Sequence, residues 1–328
     1  MPEPVPSTRS RSPRLSSWIV LAMLAMVAAP AAVTLHTVRF PATLQASVSN
    51  PTPYGYTWSL LLFVVPIVVI AFWFLPSEGL QIPQRAFWRT MGTLIPLGFG
   101  LDFFFARWFF VFPNRSATLR IGAPALGEPV PVEEYIFYLT GFMAVLLIYV
   151  WLDEFWLAAY NVPDYRGEAK KISHLVQFHP TSAILGLTLI MVAVTYKKVF
   201  SPYPDGFPSY FIFLVLGAFV PAASFFPIAR PFINWRAFSL TLFLILLVSL
   251  LWEATLAVPY GWWGFQPRQM IGLFIGAWSG LPIEEVCVWI AVTYATVIVF
   301  EIVKLWQASG RAAKDAFLGT KPKPVVST

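Results

Sequence analysis

Apolar residues in this chain come in long unbroken runs, not in the alternating or one-sided patterns of a water-soluble domain. Such runs occupy 18–35, 58–75, 87–106, 133–156, 181–200, 209–229, 236–256 and 283–304. Each is close to the roughly 20 residues that a helix needs to cross the hydrocarbon core of a bilayer. The pattern predicts an all-α polytopic bundle of eight membrane-spanning helices. The first run also fits a cleavable signal peptide, since Arg9, Arg11 and Arg14 precede it and Ala-Ala-Pro-Ala-Ala follows. Arg89, Pro96 and several glycines interrupt the third.

Composition agrees with the pattern. The 328 residues are 58% hydrophobic and 12% charged, where a soluble domain carries about 25% charged residues. A net charge of +6 would point to nucleic acid in a soluble protein. Here the basic residues sit in tails and between apolar runs, so they are read as topology signals and no nucleic-acid partner is expected. Most of the 22 Lys and Arg fall on one side if both termini are cytoplasmic. Arg107, Arg115, Arg120 and Arg268 belong to two long outer loops. The first ten residues and 322–328 are expected to be disordered.

The chain also resembles itself. At an offset of 151, Pro131, Glu133 and Glu134 fall on Pro282, Glu284 and Glu285, and Asp102 falls on Glu253. The spacings 102 to 133 and 253 to 284 are both 31. This predicts two parallel four-helix repeats, 1–160 and 161–310, followed by a flexible cytoplasmic tail at 311–328. Both Glu pairs open a helix just after a proline, while Asp102 and Glu253 lie toward the ends of the preceding helices. In antiparallel hairpins these ends adjoin, so all six carboxyls are expected to converge at the outer membrane face.

Ionisable groups at a helix centre cost about 2.5–3.5 kcal/mol on insertion scales, so six at matched positions call for a reason. Carboxyls gathered away from water cannot all ionise, and such a cluster can hold an acid and a base together. The structural alternative is capping, because carboxylates suit a helix start. Asp153, Glu154, Asp164 and Glu168 are read as a solvated inner edge, with Asp153 and Glu128 lacking equivalents at the offset. Aromatic residues crowd the same end: Phe103, Phe104, Phe105, Trp108, Phe109 and Phe110 in one half, and Trp252, Tyr260, Trp262, Trp263 and Phe265 in the other. Their faces can shelter a cation, although Trp and Tyr also gather at membrane interfaces for ordinary reasons.

Other chemistries lack their motifs. There is no G-x-G-x-x-G fingerprint and no P-loop, no paired Asp-x-x-x-Asp for magnesium pyrophosphate, and no metal set among His36, His174 and His179. Cys287 is the single cysteine, which excludes an internal disulfide. No cofactor and no metal are expected.

The run Pro-Val-Glu-Glu-Tyr-Ile-Phe from Pro131 to Phe137, and Leu-Pro-Ile-Glu-Glu from Leu281 to Glu285, are each preceded by an acid and an aromatic-rich loop. In these features the chain resembles the membrane lycopene cyclase domain family, over 97–156 and 247–306. The resemblance implies redox-neutral cyclisation of an acyclic carotenoid end group: protonation of the terminal alkene, attack by a neighbouring double bond, and loss of a proton. It implies Glu133, Glu134, Glu284 and Glu285 as acid and base candidates, with Asp102 and Glu253 supporting. Trp108, Phe137, Trp252, Trp262 and Trp263 are the expected substrate contacts. The implied partners are a lipophilic carotenoid, the lipid of a bacterial or archaeal cell membrane, and other enzymes of the carotenoid pathway. The loop 161–180 departs from the family pattern. A proton-coupled carrier and a carotenoid-binding protein without chemistry stay open as alternatives.

Overall fold

A computed structural model describes residues 53–74, 82–162 and 165–319. The first expected helix, its signal-peptide alternative, His36, Asp164 and the tail beyond 319 lie outside the described residues. Seven principal helices organise the rest: α1 (Gly55–Val69), α2 (Gln84–Phe109), α3 (Val132–Trp151), α4 (Pro180–Val199), α5 (Ser209–Leu214), α6 (Trp235–Trp252) and α7 (Ile283–Ser309). Wider π-helical turns extend α1, α3, α5 and α6, at Ile70–Phe74, Leu152–Trp156, Val215–Phe219 and Glu253–Ala257.

Five helical segments are long and apolar enough to cross a membrane, as in an integral membrane protein: Gly55–Phe72, Val132–Trp156, Pro180–Val199, Trp235–Ala257 and Ile283–Ser309. Their outer surfaces carry bare apolar side chains such as Leu62, Ile184, Val192 and Leu251, a surface suited to lipid and not to water.

Two expected spans come out differently. The third run lies within α2, a 26-residue helix, but Arg85, Arg89, Asp102 and Arg107 keep it outside the apolar set. The sixth is cut short. Its apolar helical stretch, Ser209–Ala223, holds 15 residues and passes through Pro221; it stops before the short helix Phe226–Ala229, where Pro227 has no amide with which to continue the ladder.

The centre is a four-helix bundle. α3 and α7 pack on each other, α2 lies against both, and α6 lies against both from the other side. Gln84 and Trp235 start α2 and α6, and Val132 and Ile283 start α3 and α7; both intervals are 151 residues. Each Glu-bearing helix follows a two-residue antiparallel pair. The strands are β1 (Phe110–Val111), β2 (Gly122–Ala123), β3 (Val130–Pro131), β4 (Gly264–Phe265), β5 (Phe274–Ile275) and β6 (Leu281–Pro282). β2 pairs with β3 before α3, and β5 with β6 before α7. The Val132 amide then donates to the Ile121 carbonyl at 3.0 Å, and the Ile283 amide to the Leu273 carbonyl at 3.0 Å.

β1 and β4 join the loop after α2 to the loop after α6, Phe110 opposite Phe265 and Val111 opposite Gly264. The Asn114 side chain adds a bond to the Tyr260 carbonyl at 2.9 Å. Gly261 there has φ +62°, and a Cβ would sit 3.3 Å from Pro113 Cγ, so the close approach of the loops needs glycine.

The opposite end of α3 and α7 corrects a sequence expectation. Asp153 is not solvated but fully enclosed, with Lys304 Nζ 3.7 Å away. Lys304 also reaches Glu154 at 3.8 Å and Glu301 at 3.3 Å. Tyr149 donates to Glu301 at 2.9 Å. Asp153 does have a counterpart at the offset: it is Lys304, a charge of opposite sign. Glu168 is exposed and paired with Lys171, as expected of a surface residue. The tail is also more ordered than expected. Arg311 donates to the Ile172 and Ser173 carbonyls, at 2.9 and 3.0 Å, and Ala313–Leu318 is helical.

Candidate functional site

All six motif acids are at most 6% exposed, but they do not share one duty. Proline at 131 and 282 ends each hairpin in an extended conformation and passes directly into the helix. The first turn then aims consecutive residues in different directions, about 100° apart. Glu133 points back at its own loop. Its Oε1 accepts from the Leu119 amide at 2.7 Å and from the Thr57 hydroxyl at 2.5 Å. Glu284 does the same in the other half, accepting from the Ile271 amide. These two acids tie the preceding loops to the helix starts.

Glu134 and Glu285 point the other way, into a cavity between α3 and α7. Glu134 accepts from the Tyr56 hydroxyl at 2.7 Å and has Asp102 beside it. Glu285 has Glu253 and the Tyr210 hydroxyl beside it. Glu253 opens the π-helical turn that ends α6, and its Oε1 accepts from Trp289 Nε1 at 2.8 Å. The outcome is two carboxyl pairs, Asp102 with Glu134 and Glu253 with Glu285, each attended by a tyrosine.

The cavity is narrow, with about 30 Å³ of free space, room for about two water molecules, so its walls must part to admit a larger ligand. Its walls are two matching stripes. Glu134, Phe137, Tyr138 and Gly141 come from α3; Glu285, Val288, Trp289 and Val292 come from α7. Spacings of three, four and seven residues place each set on one helix face. The acids lie at one end and Gly141 and Val292 at the other. Tyr56, Tyr210, Phe110 and Trp263 close the acid end.

The expected substrate contacts divide. Phe137 and Trp263 line the cavity. Trp252 and Trp262 stand behind, Trp252 stacked on Phe137 at 5.7 Å and edge-on to Trp263 at 4.9 Å, and Trp262 stacked on Tyr56 at 6.2 Å. Trp108 is turned outward with 58% of its surface exposed and takes no part in the wall. The six acids gather at the end of the bundle where α3 and α7 begin, but their placements differ: two face the cavity, two stand behind them, and two bind loops.

Sequence reasoning did not pick out Tyr56, Tyr138, Tyr210, Trp289 or Gly141. The signal was present for three of them, because stepping four and seven residues along a helix from Glu134 or Glu285 reaches Tyr138, Gly141 and Trp289. Among the described residues no group of three or more His, Cys, Asp or Glu side chains is arranged to hold a metal. No family model, no curated protein and no solved structure matches this chain.

Proposed function

We propose that this protein is a membrane carotenoid cyclase that closes rings on the ends of an acyclic carotenoid, lycopene or a close relative, without redox chemistry. The observation that carries this reading is the cavity itself, in which Glu134 and Glu285 face a hydrocarbon-lined slot walled by Phe137, Tyr138, Trp263 and Trp289. A polyene offers such a site no hydrogen bonds. It offers a terminal alkene that a carboxylic acid can protonate and, after ring closure, a C–H that a carboxylate can take.

In the proposed reaction one of Glu134 and Glu285 gives its proton to the terminal double bond, forming a C–H bond and a carbocation. The neighbouring double bond attacks, forming the ring bond and moving the positive charge onto the ring. The other glutamate removes the adjacent proton, and the C–H electrons become the new double bond. Positioned acid–base groups typically contribute 10²–10⁴-fold in rate, and each aromatic face near the cation adds roughly 0.5–2 kcal/mol. Asp102 and Glu253 support the two cavity acids from behind.

The reading includes a twofold internal repeat. Helix starts 151 residues apart, hairpins before both Glu-bearing helices and the paired stripes support two parallel four-helix units, with the first expected helix completing eight. Each half supplies one cavity acid, so the protein has a single composite site. Both termini are placed on the cytoplasmic side of a bacterial or archaeal membrane, and the cavity acids near its outer face.

Coexpression with a lycopene-producing pathway tests the proposal. The expected result is cyclised carotenoid from the wild-type chain and unchanged lycopene from either Glu134→Gln or Glu285→Gln at equal membrane abundance. Lycopene untouched by abundant wild-type protein would sink the cyclase reading. Half-activity in each single variant would replace one composite site with two.

A further inference from the structure

Cyclisation leaves the site in the wrong state for the next turnover. The donor has become a carboxylate, the acceptor a carboxylic acid, and a proton must pass between them. Tyr138 stands where that transfer would occur. It enters the cavity from α3 one turn beyond Glu134, and its hydroxyl is within electrostatic reach of Asp102, Glu134, Glu285 and Glu253, the members of both pairs. Tyr210, beside Glu285, is within its reach as well.

Two further observations set Tyr138 apart. Its hydroxyl is engaged by no hydrogen bond to a described residue, although it shares the cavity with Glu134 and Glu285. The residue at the matching stripe position of α7, Trp289, is already committed to Glu253 at 2.8 Å. An indole N–H can only donate, whereas a phenol donates and accepts, as a relay requires. Gly98 gives the ring its place: a Cβ there would meet Phe142 Cε2 at 2.9 Å and Tyr138 Cβ at 3.2 Å.

We propose that the Tyr138 hydroxyl carries the proton from one acid pair back to the other across the cavity, so that hydrogen taken from one substrate end group is delivered to the next. The inference rests on the cyclase reading. In the return step, Tyr138 gives its O–H proton to the carboxylate that acted as donor and takes the proton of the carboxylic acid that acted as base. The phenol ends as it began, both glutamates are restored, and no other reactant is needed. Phe110, Trp263 and the Tyr56 ring at the acid end of the cavity hinder exchange with water during this step.

The test is multiple-turnover cyclisation of lycopene in D₂O by membranes holding the full chain, with deuterium per ring read by mass spectrometry. A proton drawn from solvent at every cycle labels each ring once. Internal return gives wild-type rings less than half that label, and Tyr138→Phe raises the label toward one deuterium per ring while slowing turnover. If Tyr138→Phe does not accumulate, fluorotyrosine at position 138 keeps the fold, alters the acidity of the hydroxyl and is expected to shift the label. Fully labelled wild-type rings, or a label unmoved by the change at Tyr138, overturn the relay and leave the cyclase reading standing. Wild-type membranes that form no ring refute both.

Discussion

The two glutamates of each motif are adjacent, yet the structure predicts opposite consequences for losing them. Glu133→Ala removes the acceptor for the Leu119 amide and the Thr57 hydroxyl, 2.7 and 2.5 Å away. A lost hydrogen bond that leaves a buried partner unsatisfied costs about 1–3 kcal/mol, so the two together come to roughly 2–6 kcal/mol. Glu133→Gln keeps a carbonyl oxygen in place and is expected to cost about 1 kcal/mol, a neutral bond replacing a stronger one. At about 2–4 °C per kcal/mol for chains of 150–250 residues, and less for a longer one, Glu133→Ala should lower the unfolding temperature by roughly 4 °C at the low end and by no more than about 24 °C.

Glu134→Gln should do the reverse. Glutamine preserves the volume and can still accept from Tyr56, 2.7 Å away, so stability changes by less than about 1 kcal/mol. The amide has no proton to give a polyene, and cyclisation stops. Thermal unfolding of detergent-solubilised protein and carotenoid extraction from matched membranes separate the two effects. The reasoning fails if Glu133→Gln ends cyclisation with the unfolding temperature unchanged, or if Glu134→Gln cyclises normally.

Three other substitutions probe the surroundings. Lys304→Met leaves Asp153, Glu154 and Glu301 facing one another without their shared cation; the expected loss is about 3–5 kcal/mol, read as reduced thermal stability and partly restored by adding Asp153→Asn and Glu301→Gln. Gly141→Ala should be tolerated, because a Cβ would meet Trp289 Cζ3 at an ordinary 3.4 Å. Gly141→Leu must displace the ring that donates to Glu253, and is expected to reduce turnover as Trp289→Phe does. Tyr56→Phe keeps the stack on Trp262 and the tilted contact with Trp263 but strips Glu134 of its donor, so turnover should fall more than folded protein does, measured by product per unit of membrane protein.

Much of the scaffold was legible because it follows from simple periodicities. Uninterrupted apolar length marks the five spanning segments, and the recurrence of Pro-x-Glu-Glu locates the starts of α3 and α7. What escaped was governed by contacts remote in sequence. Tyr56 lies 78 residues from Glu134 and meets it only because α1 packs on α3. The Asp153–Lys304 pair was hidden for another reason. Comparing the halves for identical residues passes over positions that became complementary, and a buried charge needs an opposite partner more than a copy of itself. Trp108 shows the converse error: neighbours in sequence share a region but not a face, and about 100° per residue turned this one outward.

The placement of the cavity follows from the same geometry. If α3 and α7 belong to the proposed twofold repeat they start from equal faces, and equal faces with an acid at the head would be two identical half-sites. Here they meet, so one slot receives both acids, and the equivalence can persist only where it costs nothing. It lapses at three matched positions along the wall, Phe137 against Val288, Tyr138 against Trp289 and Gly141 against Val292, and at Asp102 against Glu253 behind it. A single substrate end cannot be protonated and deprotonated by the same group in the same step, so a site built from two copies has reason to let them diverge. Glu134 and Glu285, the groups nearest the reacting atoms of the proposed cyclisation, stay alike, as do Pro131 with Pro282 and Glu133 with Glu284, which build the frame; the divergence lies in the walls around them.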